Sequence, residues 1–387
     1  MKLHFFSNAP HAPTGYGVMM RQVLPRLKAR GHEITLTAYY GLHGAPLTLN
    51  GITIYPGSQD AFGQDVFAAD AIFVGADAVI SNMDVWVIAP EQSAQVPWYP
   101  WLPIDHDPVP PAVLEHLQPA KLPLSYSRWG VEKLREAGRE ALYVPAGVDV
   151  EIFKPHAQKD AREKLGLPAE AFIVGMNGAN KGSPGRKYFD GQIRAFAEFE
   201  KRHPEAFLYL HTDPYNAIGE DIPRLLELAG VKNYAFTATY QYVRGLITPE
   251  TLAMLYSAFD VLLHASMSEG FGIVIIEAQA CGCPAIVTDF SAMPELLYAG
   301  WKVGYVDKFW TAQESYQVIP AVAEIREALE KAYAERGNQA LREQARVAMV
   351  QHFEADQMID THWKAALTRI AAEIAHEKLS ELSHAAT

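Results

Sequence analysis

Short apolar runs alternate with amphipathic segments from the first residues onward, which is the pattern of a parallel sheet covered by helices. Residues 3–8 (LHFFSN) read as a first strand, 18–31 (VMMRQVLPRLKARG) as a helix closed by Gly31, and 32–40 (HEITLTAYY) as the next strand. Residues 77–84 (DAVISNMD), 85–90 (VWVIAP), 123–127 (PLSYS) and 141–147 (ALYVPAG) continue the strand series, with a helix at 127–138 between the last two. Together they predict one Rossmann-like domain.

Residues 147–170 break the pattern with turn residues and a short charged helix, as a domain boundary does. A second α/β series follows at once. Strands are predicted at 171–178, 206–213, 234–241, 260–266 and 284–289, and helices at 188–204, 222–230 and 248–259, the last with Thr248 as N-cap and Pro249 in its first position. From 321 onward apolar residues recur at spacings of three and four, which predicts helices to the end. The chain's 387 residues suit two domains. The expected organisation is a Rossmann-like domain over 1–155, a second over 156–360 facing it across a cleft, and a helical tail over 361–387.

Composition narrows the partners. With 33 basic against 45 acidic residues the formal charge is -12, which disfavours a broad grip on nucleic acid. Two cysteines, Cys281 and Cys283, are too few for a disulfide framework and have no companion ligands for zinc; they read as small packed residues in a reducing compartment. No run approaches the length of a membrane span and the N-terminus is a poor signal peptide, so a cytoplasmic location is expected, with peripheral membrane contact left open.

The candidate chemistry starts at residues 267–289, MSEGFGIVIIEAQACGCPAIVTD. Glu269, Gly270 and Gly272 lie between a strand end and a helix start, where unpaired amides and a partial positive charge meet ligands. Glycines let backbone approach a phosphate or sugar, and an ionised carboxylate such as Glu269 accepts hydrogen bonds from hydroxyls. Glu277 falls inside an apolar helix, so it needs a partner, either ribose hydroxyls or an internal Arg or Lys. In the first domain, residues 8–20 (NAPHAPTGYGVMM) repeat the strand, glycine loop and helix order with Gly15, Tyr16 and Gly17. Asp84 closes the 77–84 strand as a weaker candidate on the acceptor side, and the aromatic, proline-rich 97–111 segment carries Asp105, His106 and Asp107.

E-G-F-G, a second glutamate eight positions after the first, A-C-G-C-P-A-I-V-T-D and P-E-L (294–296) resemble the E-x7-E signature of family 4 retaining glycosyltransferases, which have the GT-B fold. Residues 143–155 resemble that family's inter-domain motif, 174–196 its diphosphate-binding segment, and 352–370 its tail helix that crosses back to the first domain. The resemblance implies that Glu269 binds donor-sugar hydroxyls, that the backbone of Gly270, Phe271 and Gly272 contacts sugar and diphosphate, and that Glu277 takes the ribose hydroxyls. Lys187 aligns with the family lysine. The family arginine is missing, since Met176 and Asn177 stand in its place, and Lys181 or Arg186 is left to fill the role. Gly15 and Gly17 match the loop that reaches the diphosphate and acceptor. His106 is similar to the histidine near the reacting carbon, with Asp105 or Asp107 to orient its ring, and Tyr16 and Asp105 fall on the acceptor side with Asp84.

The activity so implied is a metal-independent transferase without a cofactor. It would move a sugar from a nucleotide diphosphate sugar, UDP-linked in the first instance and GDP-linked next, to a carbohydrate, lipid-linked or other small hydroxyl acceptor with retention of configuration. A nucleotide-sugar epimerase, a phosphorylase and a non-catalytic nucleotide-sugar binder are the alternatives. The oligomeric state is not legible in the sequence.

Overall fold

Strand β1 (Lys2–Asn8) is buried from His4 to Asn8 and partners strands on both sides, as a central strand of a parallel sheet must. In the computed structural model, which describes residues 1–385, it is flanked by β2 (Glu33–Tyr40) and, on the other edge, β5 (Ala78–Ser81). A hairpin of β3 (Leu47–Leu49) and β4 (Ile52–Pro56), which the alternation did not reveal, extends the far edge to give the order β3-β4-β2-β1-β5. Bridges from Val79 to Trp98 and from Asn82 to Trp101 carry the sheet on towards the short parallel strands β6 (Trp101–Leu102), β7 (Leu124–Ser125) and β8 (Leu142–Tyr143).

The second sheet has six strands, all parallel. Its order is β11 (Tyr234–Phe236), β10 (Ala206–His211), β9 (Phe172–Asn177), β12 (Val261–His264), β13 (Ala285–Thr288) and β14 (Gly300–Val303). Its core joins Val174, Leu208, Leu263 and Ile286 to the helices Phe189–Glu200 and Val322–Ala334. A β-hairpin, β15 (Tyr305–Trp310) with β16 (Tyr316–Pro320), follows β14 and went unread in the sequence. Cys281 and Cys283 are fully buried thiols, both pushed up by burial, the second to about 12.

Contacts divide the chain into unit 1, comprising Met1–Gly147, Ala312–Ser315 and the chain from Ala355 onward, and unit 2, comprising Val148–Thr311 and Tyr316–Glu354. The expected boundaries at 155 and 361 therefore move to 147 and 355. The last two residues of the predicted tail lie outside the described ones. Two local expectations also change. Residues 85–90 are not a strand: Val85–Val87 is a 3-10 turn and Pro90 opens the helical turn Pro90–Ser93. Val85, Val87 and Ile88 are buried while Trp86 is 42% exposed, and the β-branched side chains made the run read as a strand. Residues 234–241 split into β11 and the short helix Thr239–Val243.

The tail belongs to unit 1 through packing and charge. Trp363, fully buried in a π-helical turn, meets Phe5 and Trp101 with ring centroids 6.0 and 4.8 Å away. Arg30 reaches Asp360 at 2.6 Å and Asp356 at 3.0 Å. The long helix Lys364–Ala385 continues from this anchor. Among the described residues no helix is long and apolar enough to cross a membrane. Trp363→Ala should cost about 4 kcal/mol through the cavity it leaves, and Trp363→Phe clearly less. Chemical denaturation measures both, and equal stability of Trp363→Ala and the parent would contradict this role.

Candidate functional site

At the carboxyl end of β12 the chain turns through Ala265–Ser268 and presents Glu269, which is only 5% exposed. Its carboxylate accepts a hydrogen bond from Arg186 Nη1 at 2.9 Å, one from His264 Nε2 at 2.9 Å, and a very close one from Lys187 Nζ. Burial alone would raise the Glu269 carboxyl, but Arg186 and Lys187, then His264, outweigh it and hold the group well below the ordinary carboxylate range. His264 is itself pushed down, first by burial and then by Lys187, and sits neutral. Two cations against one anion leave the cluster with a net positive charge.

The loop that delivers the cations is built by side chains inside it. Asn180, 2% exposed, donates to the carbonyls of Asp213 at 3.1 Å and Glu220 at 2.7 Å and accepts from the Glu220 amide at 2.8 Å. Gln192 donates to the Lys187 carbonyl at 2.6 Å and accepts from the Ala265 amide at 2.8 Å, so loop and strand end are held by one side chain. The Arg186 carbonyl also accepts from Met267 N at 2.9 Å. Of the two cations the sequence left open, the structure brings Arg186 to Glu269; Lys181 stands exposed on the loop, outside the cluster.

The helix Ile273–Ala280 begins directly after this turn, with Gly272 at φ +108° as its cap and no side chain capping it. A Cβ on Gly272 would come within 2.9 Å of Ile275 Cδ1, which adds to the strain of that backbone conformation. Gly270 is buried, and the Phe271 ring packs edge-on against Phe353 at 6.3 Å, so both anchor the turn. Glu277 is 3% exposed on the buried side. It accepts from the Tyr256 hydroxyl at 3.0 Å, and that hydroxyl accepts from Asn177 Nδ2 at 2.7 Å. The Tyr256 phenol is raised well above 10 by burial first and Glu277 second, so it stays a donor. Asn177, where the family arginine is missing, thus reaches Glu277 through the Tyr256 hydroxyl.

In unit 1 the glycines part company. The helix Gly15–Ala29 is capped by Thr14, whose hydroxyl accepts from Gly17 N at 3.0 Å. A Cβ on Gly17 would lie 2.4 Å from the Ala12 carbonyl oxygen and 2.8 Å from that of Ala9, so Gly17 is glycine because the loop closes onto it. A Cβ on Gly15 would meet nothing within 4 Å. The Tyr16 hydroxyl donates to Asp84 at 3.0 Å. His106, 3% exposed, places Nδ1 2.7 Å from Asp105, while Asp107 pairs with Lys133 at 3.0 Å. Asp105 is therefore the residue that orients the ring.

Residues 158–346 match the model of the family described as glycosyl transferases group 1. The match covers just under half of the chain. Over 156 residues the chain is 32% identical to D-inositol 3-phosphate glycosyltransferase of Corynebacterium jeikeium, covering 39% of this chain and 36% of that protein. The counterpart from Stackebrandtia nassauensis is 35% identical over 146 residues, 37% of this chain and 32% of its own length. The matched stretch thus spans about a third of these relatives. Among solved structures, sucrose-phosphate synthase from Thermosynechococcus elongatus superposes with a TM-score of 0.68 at 18% identity over 100% of both chains. HepE from Anabaena, solved with UDP-glucose, gives 0.71 at 16% identity over 95% of this chain and 100% of that one. The fold is GT-B, with two Rossmann-like domains.

Within the matched residues four supporting residues escaped the sequence reading: His264, Gln192, Tyr256 and Ser291, whose Oγ accepts from Glu269 N at 2.9 Å. His264 was findable, being a polar residue at the end of an apolar strand. The others look like ordinary helix and loop residues until the fold brings them together.

Glu269→Gln should lower stability by roughly 2 kcal/mol near neutral pH, a buried-pair loss discounted for the partly exposed Arg186. Because its carboxyl is depressed in the folded state, its contribution is complete above the ordinary value of 4.5 and fades as pH falls through the folded value. The melting difference between parent and variant should narrow in acid; a widening difference would contradict the charge assignment. Separately, Gly17→Ala should cost about 1–3 kcal/mol by overpacking while Gly15→Ala stays near neutral. Equal melting temperatures for the two would remove the distinction.

Proposed function

We propose that the protein transfers a sugar from a nucleotide diphosphate sugar to an acceptor hydroxyl with retention of anomeric configuration. The observation that carries this reading is the convergence of Arg186, Lys187 and His264 on Glu269, beside the uncapped start of the helix Ile273–Ala280. Glu269 accepts hydrogen bonds from the donor sugar, the backbone of Gly270, Phe271 and Gly272 lies along sugar and diphosphate, and Glu277 takes the ribose hydroxyls. Arg186 and Lys187 meet the negative charge that develops on the departing diphosphate, aided by helix amides. These cations do the work of a metal ion, and no cofactor takes part.

In this mechanism the leaving phosphate takes the acceptor proton as the acceptor oxygen attacks from the same face, so no side chain becomes a nucleophile. His106, oriented by Asp105, acts near the reacting carbon, and Gly15, Tyr16 and Asp84 serve the acceptor side of unit 1. UDP is the favoured nucleotide and GDP the next; the solved complex of HepE with UDP-glucose supports that order for the fold alone.

A thermal-shift screen with UDP, GDP, ADP and their sugars tests the donor. A selective ligand at a hundredfold excess over Kd should add about 2.7 kcal/mol of stability. With the matching donor sugar, Arg186→Ala or Lys187→Ala should reduce kcat about a hundredfold, turnover should survive EDTA, and the product should keep the donor's anomeric configuration by NMR. Epimerised donor without acceptor, or nucleotide binding without any turnover, would overturn the reading.

A further inference from the structure

An ionised carboxylate offers about four acceptor positions, and at least three of those on Glu269 are taken. Oε1 receives Lys187 Nζ and His264 Nε2, and Oε2 receives Arg186 Nη1. A sugar that presents two hydroxyls to this group therefore has to displace one of its donors. His264 is poorly placed to withdraw, with its side chain 3% exposed at the end of β12, whereas the side chains of Arg186 and Lys187 are 37% and 19% exposed. The cations are the groups that move.

Their backbone is held while this happens. The Arg186 carbonyl accepts from Met267 N at 2.9 Å and the Lys187 carbonyl from Gln192 Nε2 at 2.6 Å. The Lys187 stem runs beside Gly178, where a Cβ would stand 3.3 Å from its Cγ and Cδ, so the glycine leaves the stem room to turn. Rotation of the two side chains is enough to redirect both charges, and the loop does not have to open. Burial would raise the Glu269 carboxyl, yet Arg186 and Lys187 hold it well below the ordinary carboxylate range, so at neutral pH it competes for them as a full anion. An N–H spent on Glu269 is not available to a phosphate oxygen.

We propose that Glu269 and the donor diphosphate compete for Arg186 and Lys187: sugar hydroxyls on the carboxylate release the two side chains to the diphosphate, and once the sugar has left with the acceptor the carboxylate recaptures them and loosens the nucleoside diphosphate. The contact thus regulates the site, favouring the sugar-bearing nucleotide over its product. The exchange rests on the transferase reading for the identity of the anion.

Calorimetric titration of the full chain with inorganic pyrophosphate, UDP and GDP tests the exchange. Glu269→Gln should bind pyrophosphate about tenfold more tightly than the parent, and the preferred nucleotide by a similar factor. Glu269→Asp keeps the charge but draws the carboxylate back from the cations, so it should tighten binding by a smaller factor, and it carries the test if the Gln variant does not fold. Asp190→Asn removes a negative charge three residues beyond Lys187, from a pair with Arg194 at 2.7 Å, and should bind like the parent. Anion binding that is unchanged or weaker in either Glu269 variant that folds, or an equal gain in Asp190→Asn, overturns the exchange. The two ideas fail separately: tighter pyrophosphate binding by the Glu269 variants, with no nucleotide sugar turned over by the parent, sinks the transferase reading, and turnover by the parent beside unaltered anion binding sinks the exchange.

Discussion

A carboxylate with almost no access to water survives as an anion only if cations reach it, and Glu269 is in that position. Arg186 and Lys187 supply the charge, and His264 supplies a further donor. The arrangement constrains everything around it. The 178–187 loop must fold so that two consecutive cations turn inward, which is why Asn180 is buried among backbone groups and why Gln192 spans from Lys187 to Ala265. The helix Ile273–Ala280 must begin within a few residues, which a non-glycine residue at 272 would resist.

The two glutamates of this region answer the cost of burial in different ways. Glu269 is compensated by full charges and remains strongly ionised. Glu277 accepts a hydrogen bond from the Tyr256 phenol, which in turn accepts one from the Asn177 amide. Cations concentrated at one end of a helix and an acceptor farther along it form a gradient suited to a ligand whose anionic part and hydroxyl-bearing part are separated. Unit 1 has a different character, with carboxylates beside exposed aromatic rings and a histidine whose ring is oriented by Asp105.

Much of the site was legible because it breaks local rules. Glu277 in an apolar helix and Glu269 just ahead of two glycines stand out in any reading of their segments, and the alternating strands and helices mark both Rossmann-like sheets. Other features followed local rules and misled. The run at 85–90 looks like a strand because valine and isoleucine favour strands, yet its backbone closes into a 3-10 turn. Gly17 offers a different lesson: the space a Cβ would need there is taken by the carbonyls of Ala9 and Ala12, which no local pattern announces.

The sequence by itself determined the two α/β series, the helical tail, the apolar helix that carries Glu277 and the residue types available for chemistry, because these depend on periodicity and on neighbours a few positions away. The tertiary structure alone decided which cation meets Glu269, that Asn177 and Tyr256 serve Glu277, that Asp105 and not Asp107 holds His106, and that residues 312–315 and the chain from 355 join unit 1. Each of those choices is made between groups with similar local preferences. What separates them is distance in space and the cost of burying charge without a partner, and neither can be read along the chain.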